Sequence, residues 1–296
     1  VQALHDQCED HDFENALLVC GTNVGTNDAL MDPIRDALDD RLADVFAQTT
    51  PQKLAETVYD GIDRIHAVDA DVVIGVGGGS SLNVARQMTV FDADDRSLAD
   101  FRAEAREGDV DAPDPDRTGQ KPLPVIVIPT TFAGADLSGV GSVELLSAEE
   151  SPTGQPIRTM GSNMPIATIH DPELFETTPA GPLAGSAMNG FNKGLETIYA
   201  RTANPITDAT AVYGLQLLTE AYPRPVAASE TGESYERPAR DDPDAMDRAV
   251  VANSIVQFKR QTSTIPPCGH LFSQRYRLPH TRSPAIPGAH PRPVPH

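Results

Sequence analysis

Residues 72–86, Val-Val-Ile-Gly-Val-Gly-Gly-Gly-Ser-Ser-Leu-Asn-Val-Ala-Arg, constrain the fold more than any other stretch of this chain. A short apolar run ends in three consecutive glycines and two serines, and an amphipathic helical pattern follows. Strand, tight glycine turn and helix N-terminus together make an anion site, because bare backbone N–H groups and the positive helix end converge there. A pyrophosphate is the candidate anion; a plain strand-to-helix turn is the competing reading. The spacing is not Gly-x-Gly-x-x-Gly, so the standard dinucleotide fingerprint is not supported.

The pattern around this turn alternates. An apolar run at 15–20 stops at Gly21-Thr22-Asn23-Val24-Gly25, which predicts a strand and then a loop. Apolar spacing at Leu30, Ile34, Leu38 and Leu42 predicts a helix over 28–42, and Val45–Phe46 suggests a short strand. A helix is expected to open at Thr50-Pro51 and run through Leu54, Val58, Ile62 and Ile65. A strand at 71–76, the glycine turn and a helix to about Met88 come next. The charged stretch 98–120 reads as a helix and a surface loop, 124–129 as a buried strand, 139–159 as a hairpin and 165–170 as a β-rich run. Strand–helix alternation of this kind predicts an α/β fold with a doubly wound parallel sheet. From Pro179 the pattern turns helical, at 180–201, 207–222 and 243–259, with a Pro/Glu/Arg-rich loop at 224–242. The expected architecture is α/β then all-α: a nucleotide-binding domain over 1–175 and a helical domain over 176–296. A cleft between two such domains is the default ligand site.

At 296 residues and 39% apolar, the chain has enough material for one large or two ordinary domains. No apolar run approaches the ~18 residues of a membrane span. The polar start, Val1-Gln2-Ala3-Leu4-His5-Asp6, shows no signal peptide, and the missing initiator Met leaves an upstream piece open. Cys8, Cys20 and Cys268 have no metal-like spacing and read as reduced thiols of a cytoplasmic protein. The net charge is −20, and Lys occurs only at 53, 121, 193 and 259. Such a surface repels nucleic acid and anionic membranes. It suits a halophile's high-salt cytoplasm, where screening relieves self-repulsion, or it is an ordinary acidic surface.

Four blocks, in order, carry a resemblance. Gly77-Gly78-Gly79-Ser80-Ser81-Leu82-Asn83-Val84-Ala85-Arg86 resembles the GGGSxxDxAK signature of the iron-containing alcohol dehydrogenases, which have a dehydroquinate-synthase-like fold. Pro129-Thr130-Thr131-Phe132-Ala133-Gly134-Ala135-Asp136-Leu137-Ser138 is similar to the family's PTT segment, in the PTTYAGSEVT form of maleylacetate reductases. Asp171-Pro172-Glu173-Leu174, with Pro179, resembles the junction that opens the helical domain. Residues 187–196 and 203–208 resemble its next block, again nearest the maleylacetate reductase branch.

The resemblance implies an NAD(P)-dependent oxidoreductase: an alcohol dehydrogenase, or a carbonyl or maleylacetate-type reductase acting on a small alcohol, aldehyde or keto substrate. It places the pyrophosphate at Gly77, Gly78, Gly79, Ser80 and Ser81, with Asn83 in the same block. It also puts Thr130 and Thr131 along the nucleotide, although a hydroxyl pair capping local backbone is the alternative there. Gly21 and Asn23 would lie by the adenosine ribose. Many NAD-using relatives have Asp where this chain has Gly21; without that carboxylate a 2′-phosphate is not repelled, which tilts the expectation toward NADP(H). A turn glycine is the other reading of Gly21.

The family's metal ligands are an Asp, a His four residues later on the same helix, and two later His, a set suited to Fe²⁺ or Zn²⁺. This chain has Asn189 and Lys193 at the first two positions, His270 at the third and Pro284 at the fourth. A family-type metal is therefore not expected, with His270 the best single candidate. Asn189, Lys193 and His270 are instead expected to face the reacting oxygen, Lys193 polarising the carbonyl or supplying the proton. A Lys193 reaching to solvent or pairing with Glu196 is the plainer reading. His66 and His170 read as structural or exposed. Other classes stay open: a catalytically impaired nucleotide-binding member and, with less support, a metal-dependent synthase or lyase of the same fold. A homodimer is also open.

No Asp or Glu occurs over 248–296, where the chain's overall acid content would place about seven. Eight prolines and four of the eight histidines lie from Pro266 on. The resemblance fades near Arg275, and a reading-frame change or truncation of the original C-terminus would explain the switch. Resequencing the source gene tests that expectation.

Overall fold

The computed structural model describes residues 1–108, 110–221 and 244–257, which form two compact units. The first takes in Val1–Pro129 and Ser138–Asp171. The second takes in Thr130–Leu137 and the described residues from Pro172 on.

The first unit is built on a five-stranded, all-parallel sheet. Its elements are α1 (Gln2–Asp10), β1 (Ala16–Val19), α2 (Thr22–Gly25), α3 (Asp28–Leu38), β2 (Leu42–Phe46), α4 (Ala55–Ala67), β3 (Val72–Gly77), α5 (Gly79–Asp94), α6 (Leu98–Glu107), β4 (Val125–Pro129), the antiparallel hairpin β5 (Val140–Leu146) with β6 (Ile157–Ser162), and β7 (Ala167–Thr168). The strand order is β2-β1-β3-β4-β7. The three central strands are buried along their whole length, as expected where helices cover both faces of a parallel sheet. The edge strand β2 is mostly half-buried, and its Asp44 pairs with Arg64 of α4.

Several boundaries differ from the sequence expectation. Leu42 continues the helical spacing of Leu38 but opens β2, because Asp39 takes a left-handed φ of 49° and ends the helix. The helix expected at Thr50-Pro51 begins at Ala55; residues 50–54 form a turn in which Lys53 also has positive φ. The helix after the glycine turn runs on to Asp94. α1 was not expected: only Leu4 and Cys8 carry its buried face, too thin a periodicity to read.

The hairpin packs on α5, and Gln87 makes a two-point contact with it. The Gln87 amide donates from Nε2 to the Gly161 carbonyl at 3.1 Å and accepts from the Gly161 N–H at 3.0 Å, so it pairs with β6 as a neighbouring strand would. Nearby, Asp94 and Arg96 form a two-point ion pair, and Arg96 also holds both oxygens of Glu104 and lies over the Phe101 ring.

The second unit is helical: α7 (Pro172–Glu176), α8 (Ala180–Tyr199), α9 (Pro205–Ala221) and α10 (Ala245–Gln257). Its helices approach closely at Gly214 of α9, where a Cβ would sit 2.7 Å from the Val256 backbone nitrogen of α10. Among the described residues no helix is long and apolar enough to cross a membrane.

Candidate functional site

From β1 the chain steps outward to β2 and then returns to the other side of β1 as β3, so the order reverses between β1 and β3. Open parallel sheets bind ligands outside the carboxyl ends of strands at such a switch point. The loops after β1 and β3 flank it: a Cβ on Gly77 would lie 3.3 Å from Val24 Cγ2.

Gly77 has φ of +120°, a conformation that side chains rarely adopt, and it turns the chain off β3. Gly78 is the extended N-cap of α5. The N–H groups of Ser81 and Leu82 both bond the Gly78 carbonyl. Those of Gly79 and Ser80 are ones the helix itself cannot satisfy, at the positive end of a 16-residue dipole. Backbone donors without a side-chain cap are the arrangement an anion needs.

Two further groups close on this turn. The Thr49 hydroxyl, from the loop after β2, meets the Ser81 hydroxyl at 2.7 Å in the interior. Sequence reading missed Thr49, which belongs to no motif. Gly21 lies beside both residues: a Cβ there would stand 3.4 Å from the Thr49 carbonyl and 3.9 Å from Ser81 Oγ. Gly21 has φ of −85°, a backbone conformation open to any residue. Asn23 is exposed on α2, and Ser80 is half-buried. The Asn83 carboxamide accepts from Arg86 and packs against Gly141 of the hairpin.

The end of β4 is in register with the glycine turn, Pro129 pairing with Gly77. Thr130 and Thr131 follow in the chain and belong to the second unit. Thr130 is buried, its carbonyl accepting from the Thr178 hydroxyl at 2.7 Å; Thr131 is half-buried.

In the second unit, Asn189, Lys193 and Glu196 share one face of α8 by their spacing. The Asn189 Nδ2 donates to the Ala133 carbonyl at 3.1 Å, which leaves its oxygen as the acceptor end. Lys193 is 8% exposed and does not reach to solvent; its Nζ lies 3.8 Å from Oε2 of the fully buried Glu196. Sequence reading missed Asn253 and Gln257 of α10, polar but buried. Gln257 Nε2 donates to the Phe132 carbonyl and to Asn253 Oδ1, fixing the 130–137 segment against the helices.

The donor set does not fit a family-type metal. α8 offers an amide and an ammonium, and an ammonium repels a cation. Among the described residues no group of three or more His, Cys, Asp or Glu is placed to hold a metal ion. His270, Cys268 and the proline- and histidine-rich end lie outside the described residues. His66 is exposed and meets Asp92 at 2.6 Å, and His170 is half-buried. Cys8 and Cys20 are free and buried, and burial pushes the Cys20 thiol up to about 11.

Comparison with known proteins bears on the family and the fold. The sequence profile described as iron-containing alcohol dehydrogenase matches residues 1–172. The chain is 26% identical over 192 residues to an NAD-dependent methanol dehydrogenase of Bacillus methanolicus, covering 65% of this chain and 47% of that enzyme. It is 26% identical over 179 residues to a maleylacetate reductase of Rhizobium sp. (strain MTP-10005), covering 60% and 41%. The structure of a sulfoacetaldehyde reductase from Bifidobacterium kashiwanohense, in complex with NAD+, superposes with a TM-score of 0.77 at 20% identity, over 97% of this chain and 70% of that one. The chain thus spans about half the length of the relatives it matches in sequence. With more than half of its residues inside the family profile, the chain belongs to the iron-containing alcohol dehydrogenase family.

Proposed function

We propose that this chain acts as an NAD(P)-dependent oxidoreductase on a small alcohol, aldehyde or keto substrate. The observation that carries the reading is the uncapped N-terminus of α5, opening behind a left-handed glycine at the β1/β3 switch point. The residues there fit a nucleotide pyrophosphate: Gly79 and Ser80 offer backbone donors, and Thr49 fixes Ser81. Gly21 leaves no carboxylate against a ribose phosphate, which supports NADP(H) over NAD(H). Thr130 and Thr131 are assigned to the nucleotide, and Asn189, Lys193 and His270 to the substrate oxygen, on the family resemblance.

A nicotinamide nucleotide, when bound, supplies or takes up the hydride. The chain's own part is to meet the charge that develops on the substrate oxygen. The Lys193 ammonium, held by Glu196 and screened from water, supplies a fixed positive donor that stabilises that charge or passes it a proton. Asn189, oriented by Ala133, adds a polar contact on the same helix face. No step runs through a metal. The free, buried Cys8 and Cys20 support a reducing cytoplasmic setting, and the −20 charge supports work at high salt.

A second reading has its own support. Lys193 is already paired with Glu196, so a member that binds nucleotide without turnover is the alternative. Titration with NADPH and NADH in molar salt, read by cofactor fluorescence and followed by a panel of aldehydes and maleylacetate, separates the two. Binding with turnover supports the enzyme, and binding alone supports the impaired member. Absence of binding overturns the cofactor assignment.

A further inference from the structure

The loop after β2 touches two different places. At one end Thr49 meets Ser81; at the other, Lys53 meets the β5–β6 hairpin. Lys53 has φ of 58°, uncommon for a residue with a side chain. Its backbone is over-determined there: the Lys53 carbonyl accepts from the Glu144 N–H at 2.9 Å, and Leu54 bridges Glu144. This geometry sends the ammonium to the Ser142 hydroxyl at 3.3 Å.

Ser142 and Glu144 lie two apart on β5, and Glu144 pairs in register with Arg158 of β6, so all three share one face of the hairpin. Arg158 Nη2 donates to Glu144 at 2.6 Å, while its buried Nε has no hydrogen-bond partner among the described residues. The other charges nearby, Arg102 of α6 and Glu56 of α4, are paired with each other. Two cations therefore lie near one carboxylate, which Arg158 holds, in a chain of net charge −20. Burial, and then the Arg158 guanidinium, push the Lys53 ammonium down to about 8, against the pull of Glu144.

We propose that Lys53, Ser142 and Arg158 form a subsite for a phosphate-class anion on the face of the hairpin, separate from the glycine turn. A phosphate group accepts from the Lys53 ammonium, the Arg158 Nε and the Ser142 hydroxyl together, satisfying the orphaned donor and neutralising the surplus charge. The phosphate of a nucleotide and free phosphate offer the same chemistry.

The test is the titration of the Lys53 amine in the full chain, read by mass spectrometry after graded acetylation across pH. With chloride alone the midpoint lies near 8. Inorganic phosphate or pyrophosphate, at matched ionic strength, raises it and lowers labelling at neutral pH by about tenfold for each pH unit of rise. Arg158→Met abolishes the response. A rise with NADPH and not NADH assigns the anion to the 2′-phosphate, and a rise with both assigns it to the nucleotide's pyrophosphate. A rise with inorganic phosphate alone assigns it to a free or substrate phosphate. A midpoint that phosphate, pyrophosphate and NADPH all leave where chloride does, or an undiminished response in Arg158→Met, overturns the proposal. The wild-type titration needs no variant to fold, and a phosphate response in a chain that binds neither nucleotide keeps this subsite while removing the cofactor reading.

Discussion

The hydroxyl oxygens of Thr49 and Ser81, 32 residues apart in sequence, lie 2.7 Å from each other in the interior and tie the loop after β2 to the first turn of α5. Thr49→Val leaves Ser81 without this partner. It should cost about 1 kcal/mol in urea unfolding and weaken nucleotide binding several-fold by fluorescence titration. Ser81→Ala should behave alike, and the double variant should lose little more than either single one, because both remove the same bond.

Gly21→Asp should fold normally, since a Cβ there meets nothing closer than 3.4 Å. A carboxylate at that place repels a 2′-phosphate and accepts from ribose hydroxyls. The expected outcome is a shift of preference from NADPH toward NADH by tenfold or more, on the order of 1.4 kcal/mol, measured as the ratio of the two dissociation constants. An unchanged ratio would remove Gly21 from the ribose site.

Gly214→Ala places a methyl against the backbone of α10 and should destabilise the helical unit by about 1–3 kcal/mol. Calorimetry should show a lowered transition. Nucleotide binding at the glycine turn, which lies in the other unit, should survive below that transition.

Lys193→Met should abolish turnover while sparing nucleotide binding. It also removes the cation 3.8 Å from the buried Glu196 carboxylate, at a cost of about 3 kcal/mol. The double variant Lys193→Met with Glu196→Gln should regain much of that stability and none of the activity. Full turnover in either variant would take Lys193 out of the mechanism.

Acid should act through Asp94. Burial raises its carboxyl, but hydrogen bonds from Arg96 and from the Asp114 N–H outweigh that and hold it below the ordinary range. A carboxyl depressed in the folded state contributes stability above its unfolded pKa, about 4, and loses it as pH falls through the folded value. Asp94→Asn should therefore be less stable than wild type at neutral pH by about 3 kcal/mol, and the gap should narrow below about pH 4 in urea unfolding monitored by circular dichroism.

What the sequence made legible follows the strength of local signals. β3 and β4 are unbroken apolar runs because both faces of a parallel strand are covered, and the glycine turn announced its own conformation. Leu42 misled because it sits four residues after Leu38, and nothing in Asp39-Asp40-Arg41 marks the left-handed residue that ends α3. Thr49 and Lys53 were invisible because each gains its role from a partner distant in sequence, Ser81 in one case and Ser142 in the other. Asn253 and Gln257 sit among apolar neighbours on a helix, where polar residues ordinarily mark the solvent side. Here they turn inward, Gln257 donating to the Phe132 carbonyl and to Asn253 Oδ1.

The two-point pairing of Gln87 with Gly161 makes α5 a connecting rod. One end of the rod carries the open N–H groups of Gly79 and Ser80; two turns along, the same helix grips the hairpin that bears Ser142 and Arg158. A ligand that orders the first turn of α5 would thereby also steady the hairpin. The Gly161 amide, bonded to Gln87 of the same helix, is thus the place where hydrogen exchange would register such steadying at a distance.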